Sequence, residues 1–144
     1  MKKTGIFRPY TPDGNFTLKA TGPGVYILRK AGKITYIGFS ATDVRKTMYR
    51  HFQKWNDKRH PENRRAFLYD RVTYKDERSQ FACQVIFCKT GREASILENA
   101  MILKYTPRDN RAKLELFGQG VKRDILTRAA NAGLHSANNE ELPF

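Results

Sequence analysis

A handful of residues in this 144-residue sequence have the types and spacing to do chemistry together. Tyr26 and Tyr36 stand ten positions apart on two apolar runs, within the triplets Gly24-Val25-Tyr26 and Tyr36-Ile37-Gly38. Glu98, flanked by Leu97 and Met101, lies at the margin of an apolar stripe, where a carboxylate is costly without a role. Arg50 and His51 add a guanidinium and an imidazole, and Asn110 follows a proline-bearing stretch downstream. Phosphodiester hydrolysis needs an activated water, a counter-charge for the developing phosphorane oxygens and a proton for the leaving oxygen. Glu98 is a hard oxygen ligand suited to one Mg²⁺ or Mn²⁺ ion, with waters and substrate phosphate completing the shell. A phenol with an ordinary pKa of about 10 must be depressed or relayed to act as a base. The sequence leaves open which tyrosine does so.

Charge points to the partner. Lys and Arg total 27 against 14 acidic residues, a net of +13 with a pI near 10.0, the footprint of a polyanion binder. From Arg45 to Arg78 there are 11 basic and 5 acidic residues over 34 positions, interleaved with Tyr49, Phe52, Trp55, Phe67, Tyr69 and Tyr74. Such a patch can neutralise phosphates while aromatic faces stack on bases, so Arg45, Lys46, Lys54, Lys58, Arg59, Arg64 and Arg65 are the expected DNA-binding residues. Other chemistries recede: there is no sign of a Ser-His-Asp triad, a phosphate-cradling glycine loop or a closely spaced His/Asp metal cluster. Cys83 and Cys88 lie five apart on one apolar run, so their side chains point to opposite faces and cannot bridge. The chain has no apolar run long enough for a membrane span and no signal-like start, and it is expected to be soluble, intracellular and cytoplasmic.

The elements that must position these residues are few. Residues 1–23 read as an irregular N-terminal arm with one short strand near Phe16 to Ala20. Val25-Tyr26-Ile27-Leu28 and Ile34-Thr35-Tyr36-Ile37 form a β-hairpin around the Ala31-Gly32 turn. A helix capped by Ser40 or Thr42 runs from Asp43 to Trp55, with Val44, Met48 and Phe52 on its core face. Strands are expected over Asp70 to Tyr74 and Gln80 to Cys88, then a helix over Arg92 to Tyr105 stopped by Pro107, and a last helix over Val121 to Ala132. The fold class is therefore α/β: a small, mostly antiparallel sheet of three or four strands flanked by helices. One domain spans 24–133, and 134–144 read as a flexible tail.

The paired triplets, the basic helix after them and the run from Leu97-Glu98 to Pro107-Arg108-Asp109-Asn110 resemble the GIY-YIG nuclease superfamily over about Gly24 to Asn110. The resemblance implies a metal-dependent endonuclease. Glu98 becomes the ligand of one Mg²⁺ or Mn²⁺, Tyr26 and Tyr36 the motif tyrosines, Gly38 and Asn110 structural supports, and the products 5′-phosphate and 3′-hydroxyl ends. The family carries an Arg ten residues beyond the second motif's Tyr and often a His or Tyr four further on. Counting back from His51 puts Thr47 in the Arg place, a departure from the pattern. Arg50, three residues on, is then the expected phosphate clamp and His51 the hydrogen-bonding or proton-transfer group.

The expected function is cleavage of duplex or branched DNA with low intrinsic sequence specificity. The alternative is a nucleic-acid-binding protein of the same fold with weak or lost cleavage, recruited to replication or repair partners, and Thr47 motivates it. The ending Asn138 to Phe144, acidic and then Leu142-Pro143-Phe144, resembles the C-terminal tip of bacterial single-stranded-DNA-binding proteins, and implies a genome-maintenance partner that captures the terminal Phe and its carboxylate.

Overall fold

A computed structural model describes residues 1–12, 14, 17–53 and 73–134 of the chain. Its frame is a hairpin. Strands β2 (Gly24–Lys30) and β3 (Lys33–Ser40) pair in antiparallel register from Gly24 opposite Ser40 to Lys30 opposite Lys33. The two residues between them, Ala31 and Gly32, both have positive φ, 52° and 76°. That geometry matches the right-handed twist of the flanking strands, and glycine meets it without strain. Strand β4 (Phe81–Phe87) pairs with the other side of β2, and a two-residue strand β1 (Lys2–Lys3) pairs with β4, giving the antiparallel order β1-β4-β2-β3.

Because β2 is central, both its faces are covered, and its residues Gly24 to Leu28 are all buried. On one face Tyr26 and Leu28 pack with Val85, Cys83 and Phe81 beneath α1 (Val44–Arg50), whose Val44 and Met48 point inward. On the other face Val25, Ile27, Ile37 and Ile86 meet Ala94, Leu97, Met101 and Ile102 of α2 (Gly91–Tyr105), backed by Ile125 and Ala129 of α4 (Gln119–Asn131). The helix α2 ends where Thr106 turns into the left-handed region (φ 43°) before Pro107, and the 3-10 turn Arg108–Asn110 leads into the short α3 (Arg111–Glu115). Cys83 and Cys88 lie in the two separate clusters as free thiols, and burial pushes them up to about 12 and about 11. Among the described residues no helix is long and apolar enough to cross a membrane.

Several expectations need correction. Residues 17–20 form no strand; instead Leu18 is buried and its N–H donates to the Tyr49 hydroxyl at 3.0 Å. Thr73 and Tyr74 are not in a strand but lead into a 3-10 helix over Lys75–Gln80, while 70–72 lie outside the described residues. The fourth strand comes from the N-terminus, where Thr4 N–H donates to Val85 O at 2.8 Å and Phe7 bridges to Cys83. Helix α1 is capped by Asp43, which accepts from Lys46 N–H at 2.9 Å and whose carboxyl is held low by the Thr21 hydroxyl, while Ser40 Oγ accepts from Asp43 N–H and Thr42 N–H. That helix closes at Arg50 in 3-10-like turns through Gln53, short of Trp55, which lies outside the described residues.

With Phe7 only 6% exposed, the arm belongs to the core. Phe7→Ala is expected to lower the unfolding free energy by about 3 kcal/mol in a urea titration, as burial of an aromatic dictates. An arm that did not dock would give the wild-type midpoint.

Candidate active site

Tyr26 leaves the middle of β2 toward α1, and His51, the residue that caps the C-terminus of α1, meets it there. The Tyr26 hydroxyl lies 2.7 Å from His51 Nε2, with both residues buried. Tyr36 of β3, half-buried, lays its ring 4.6 Å from the imidazole and 6.2 Å from the Tyr26 ring, and Tyr74 approaches His51 to 6.2 Å from another side. Burial pushes the Tyr26 pKa well above its usual value, and Tyr36 and the negative charge of Glu98 push it further. The phenol therefore keeps its proton in the folded chain, at hydrogen-bond distance from Nε2. Gly38 sits opposite Tyr26 on β3, and a Cβ there would lie 2.2 Å from the tyrosine oxygen.

A second set of contacts holds this cluster from the far side. The backbone N–H of Tyr74 donates to His51 O at 2.5 Å, and Tyr74 Oη donates to Asp109 Oδ2 at 2.5 Å. Burial acts to raise the Asp109 pKa, but hydrogen bonds from Arg108 and Tyr74 outweigh it and hold the carboxyl below the usual range. The same contact with Asp109, together with burial, raises the Tyr74 pKa. Next to Asp109, Asn110 is buried and its carboxamide clasps one residue of β3: Oδ1 accepts from Ile37 N–H at 2.8 Å and Nδ2 donates to Ile37 O at 2.9 Å. Since β3 is the outer strand of the sheet, these groups would otherwise be an open edge.

Glu98 lies mid-way along α2 and is only 5% exposed. Burial pushes its pKa up, opposed by the charge of Lys113 and the hydrogen bond from it. Lys113 comes from α3 and forms an ion pair with Glu98 Oε1, its ammonium also lying 6.0 Å from the Phe39 ring centroid. Tyr26, Tyr36 and His51 thus form one ring cluster beneath α1, with Tyr74 against His51, while Glu98 on α2 lies within electrostatic reach of Tyr26 and is met by Lys113, a residue not singled out in the sequence. Arg50 instead lines an open groove with Arg45, Lys46, Tyr10, Tyr49 and Gln53 along α1. Lys54, Lys58, Arg59, Arg64, Arg65 and the ending Leu142-Pro143-Phe144 lie outside the described residues.

The family profile described as the GIY-YIG catalytic domain matches residues 22–113. The chain belongs to the GIY-YIG family. It therefore carries a nuclease-type catalytic domain on a four-stranded antiparallel sheet flanked by helices. A similar curated protein is the UvrABC system protein C of Geotalea daltonii, 37% identical over 91 residues, which are 62% of this chain and 13% of that protein. The chain thus spans about an eighth of that relative's length. Among solved structures, the GIY-YIG N-terminal endonuclease domain of UvrC from Thermotoga maritima, bound to its catalytic magnesium, is similar at 26% identity with a TM-score of 0.42, covering 64% of this chain and 86% of that one. A point mutant of the same domain, also bound to its divalent cation, gives 27% identity and a TM-score of 0.43 over the same shares.

The donor set fits a divalent cation of the hard type. Glu98 is a buried carboxylate, and in the structure a positive group, the Lys113 ammonium, already lies against its Oε1. Among the described residues no cluster of three or more His, Cys, Asp or Glu side chains could cage an ion. An ion here would therefore rely on Glu98, water and substrate oxygens, the shell that Mg²⁺ prefers and that soft or imidazole-seeking metals do not.

Because the Asn110 carboxamide replaces a missing strand, its loss strands two buried backbone groups. Asn110→Ala is expected to cost about 2–4 kcal/mol in denaturant unfolding, the range for unpaired buried polar groups. A loss under about 0.5 kcal/mol, the scale of surface substitutions, would show that water replaces the clasp at no cost.

Proposed function

We propose that this chain is a divalent-metal-dependent endonuclease that hydrolyses DNA phosphodiester bonds with low intrinsic sequence specificity, leaving 5′-phosphate and 3′-hydroxyl ends. The observation that carries this reading is the Tyr26–His51 hydrogen bond, set beside the Tyr36 ring and placed within electrostatic reach of the buried Glu98. Family membership supports the nuclease class, and the magnesium bound by the Thermotoga maritima UvrC domain accords with the choice of metal.

Glu98 is the residue that would hold the cation, and the ion, when bound, supplies the counter-charge for the phosphorane oxygens. The proton work falls to the chain. A phenol whose pKa is raised is a poor base alone, but Tyr26 is already hydrogen-bonded to His51 Nε2. As the Tyr26 oxygen takes the proton of the attacking water, its own proton passes to Nε2. Tyr36, nearly parallel to the Tyr26 ring and tilted by 49° to the imidazole, helps fix their orientation. Arg50, Arg45 and Lys46 bind the strand's phosphates along the α1 groove, contacts that carry no sequence information.

One observation favours a second reading. Thr47 lies one turn before His51 on α1, at the place where the family pattern has an arginine, so a binding protein of the same fold with weak cleavage, recruited to replication or repair partners, is the rival. If it holds, Thr47→Arg raises the single-turnover rate. If Arg50 already serves, Thr47→Arg leaves the rate flat and Arg50→Ala lowers it well below Arg45→Ala, while both alanine variants reduce the log–log salt slope of DNA binding by roughly one phosphate's worth, about 0.7–0.9.

The deciding experiment is plasmid nicking with Mg²⁺, Mn²⁺ or EDTA. Cleavage is expected with either metal and none with EDTA. Glu98→Gln should lose about 100-fold or more in rate with DNA affinity intact, since it removes a metal ligand and no positive charge. Tyr26→Phe should fold normally and lose a comparable factor, the scale of general acid–base catalysis. Full activity in both variants would remove the site assignment.

A further inference from the structure

Lys113 has no part in the motifs, yet it makes the one ion pair to the buried carboxylate among the described residues. Its position is built. Asn110, fixed by both hydrogen bonds to Ile37, anchors the start of α3, and Lys113 lies three residues on, one helical turn away. From there the ammonium lies over the Phe39 ring and reaches Glu98 Oε1 across the gap between α3 and α2. The carboxylate is 7% exposed while the lysine is 37% exposed, so the anion is held in place and the cation has a way out to solvent.

We propose that Lys113 is the internal counter-ion of Glu98 in the metal-free protein, and that a divalent cation binds only by displacing it, so that Lys113 sets the metal affinity of the site. The inference rests on the reading of Glu98 as the metal ligand. Two positive groups at contact distance from one little-exposed carboxylate repel each other, and the repulsion grows as the medium becomes less polar, so each disfavours the other. Without any counter-ion, a carboxylate so little exposed would be strongly destabilising when ionised. Lys113 therefore neutralises Glu98 and holds its carboxylate in place before metal arrives, at the cost of competing with the metal. A lysine suits the task better than an arginine in one respect: a point charge on a flexible stem makes a single contact that is readily given up.

The test is Mn²⁺ binding by the full chain, followed by electron paramagnetic resonance of free Mn²⁺, in wild type, Lys113→Met, Lys113→Arg and Glu98→Gln, with thermal melting of each in EDTA. Lys113→Met is expected to bind Mn²⁺ on the order of ten-fold tighter, the effect of removing a half-exposed competing charge, and to melt lower than wild type in EDTA. Lys113→Arg, which keeps the charge but holds the carboxylate by a firmer contact, should melt near wild type and bind Mn²⁺ no tighter than wild type. Unchanged or weaker Mn²⁺ affinity in Lys113→Met, with binding lost in Glu98→Gln, would overturn the counter-ion role and leave the metal site standing. Binding unaffected by Glu98→Gln would overturn the metal reading itself. Should Lys113→Met not fold, Lys113→Gln, which keeps a polar stem, takes its place in the same comparison.

Discussion

The arrangement of this site depends on two hydrogen bonds between the Asn110 side chain and the backbone of Ile37. Strand β3 is an edge, and an edge strand must be closed or left to pair with something else. A single carboxamide has one acceptor and a donor in nearly the spacing of a peptide unit, so it can stand in for one residue of a missing strand. Everything downstream of α2 is then referenced to the sheet. Asp109, beside the clasp, accepts from Tyr74, whose backbone N–H holds the His51 carbonyl. Lys113, one turn on the other side, meets Glu98. The clasp thus helps fix both the ring cluster around His51 and the Glu98 carboxylate, although it touches neither.

Electrostatics divides the molecule in the same way. The chain carries +13 overall, and its groove along α1 is lined by Arg45, Lys46 and Arg50. Within that field Glu98 is a buried negative charge. Its burial raises its pKa, Lys113 opposes the rise, and its charge in turn helps keep Tyr26 protonated.

How much of this was legible in the sequence follows from how local each feature is. The hairpin could be read because the apolar runs around Ala31-Gly32 encode strands and turn within a few residues, and α2 because its apolar stripe persists until Pro107. Strand β1 could not be read: Lys2 and Lys3 have no apolar pattern, and their pairing is made by backbone groups against Ile86 and Phe87. The 3-10 helix over Lys75–Gln80 was hidden by the same kind of deficit, since Tyr74 is buried through its ring contacts with Phe81 and His51 rather than through any alternation. Ser40 and Thr42 were plausible caps by type, yet Asp43 stands one step closer to the orphan amides and Ser40 supports the turn before it. The pairing of Lys113 with Glu98 depends on the left-handed turn at Thr106, which no residue type announced.

The two motif triplets, which read as separate signatures, are one packing solution. Tyr26 and Gly38 are cross-strand partners, and the tyrosine folds its ring over the glycine, so that any side chain at 38 would collide with the phenol. Only with that space empty can the hydroxyl lie flat against the sheet and reach His51 rather than solvent. Gly24 is constrained from the other neighbour: a Cβ there would stand 2.6 Å from the Ile86 carbonyl of β4, whose strand must close on β2 at that point. The glycines are therefore required by the tyrosine and by the sheet, not by turn geometry. A substitution at Gly38 is in effect a substitution of where Tyr26 points, and the contact of its hydroxyl with His51 is decided by an atom that residue 38 does not have.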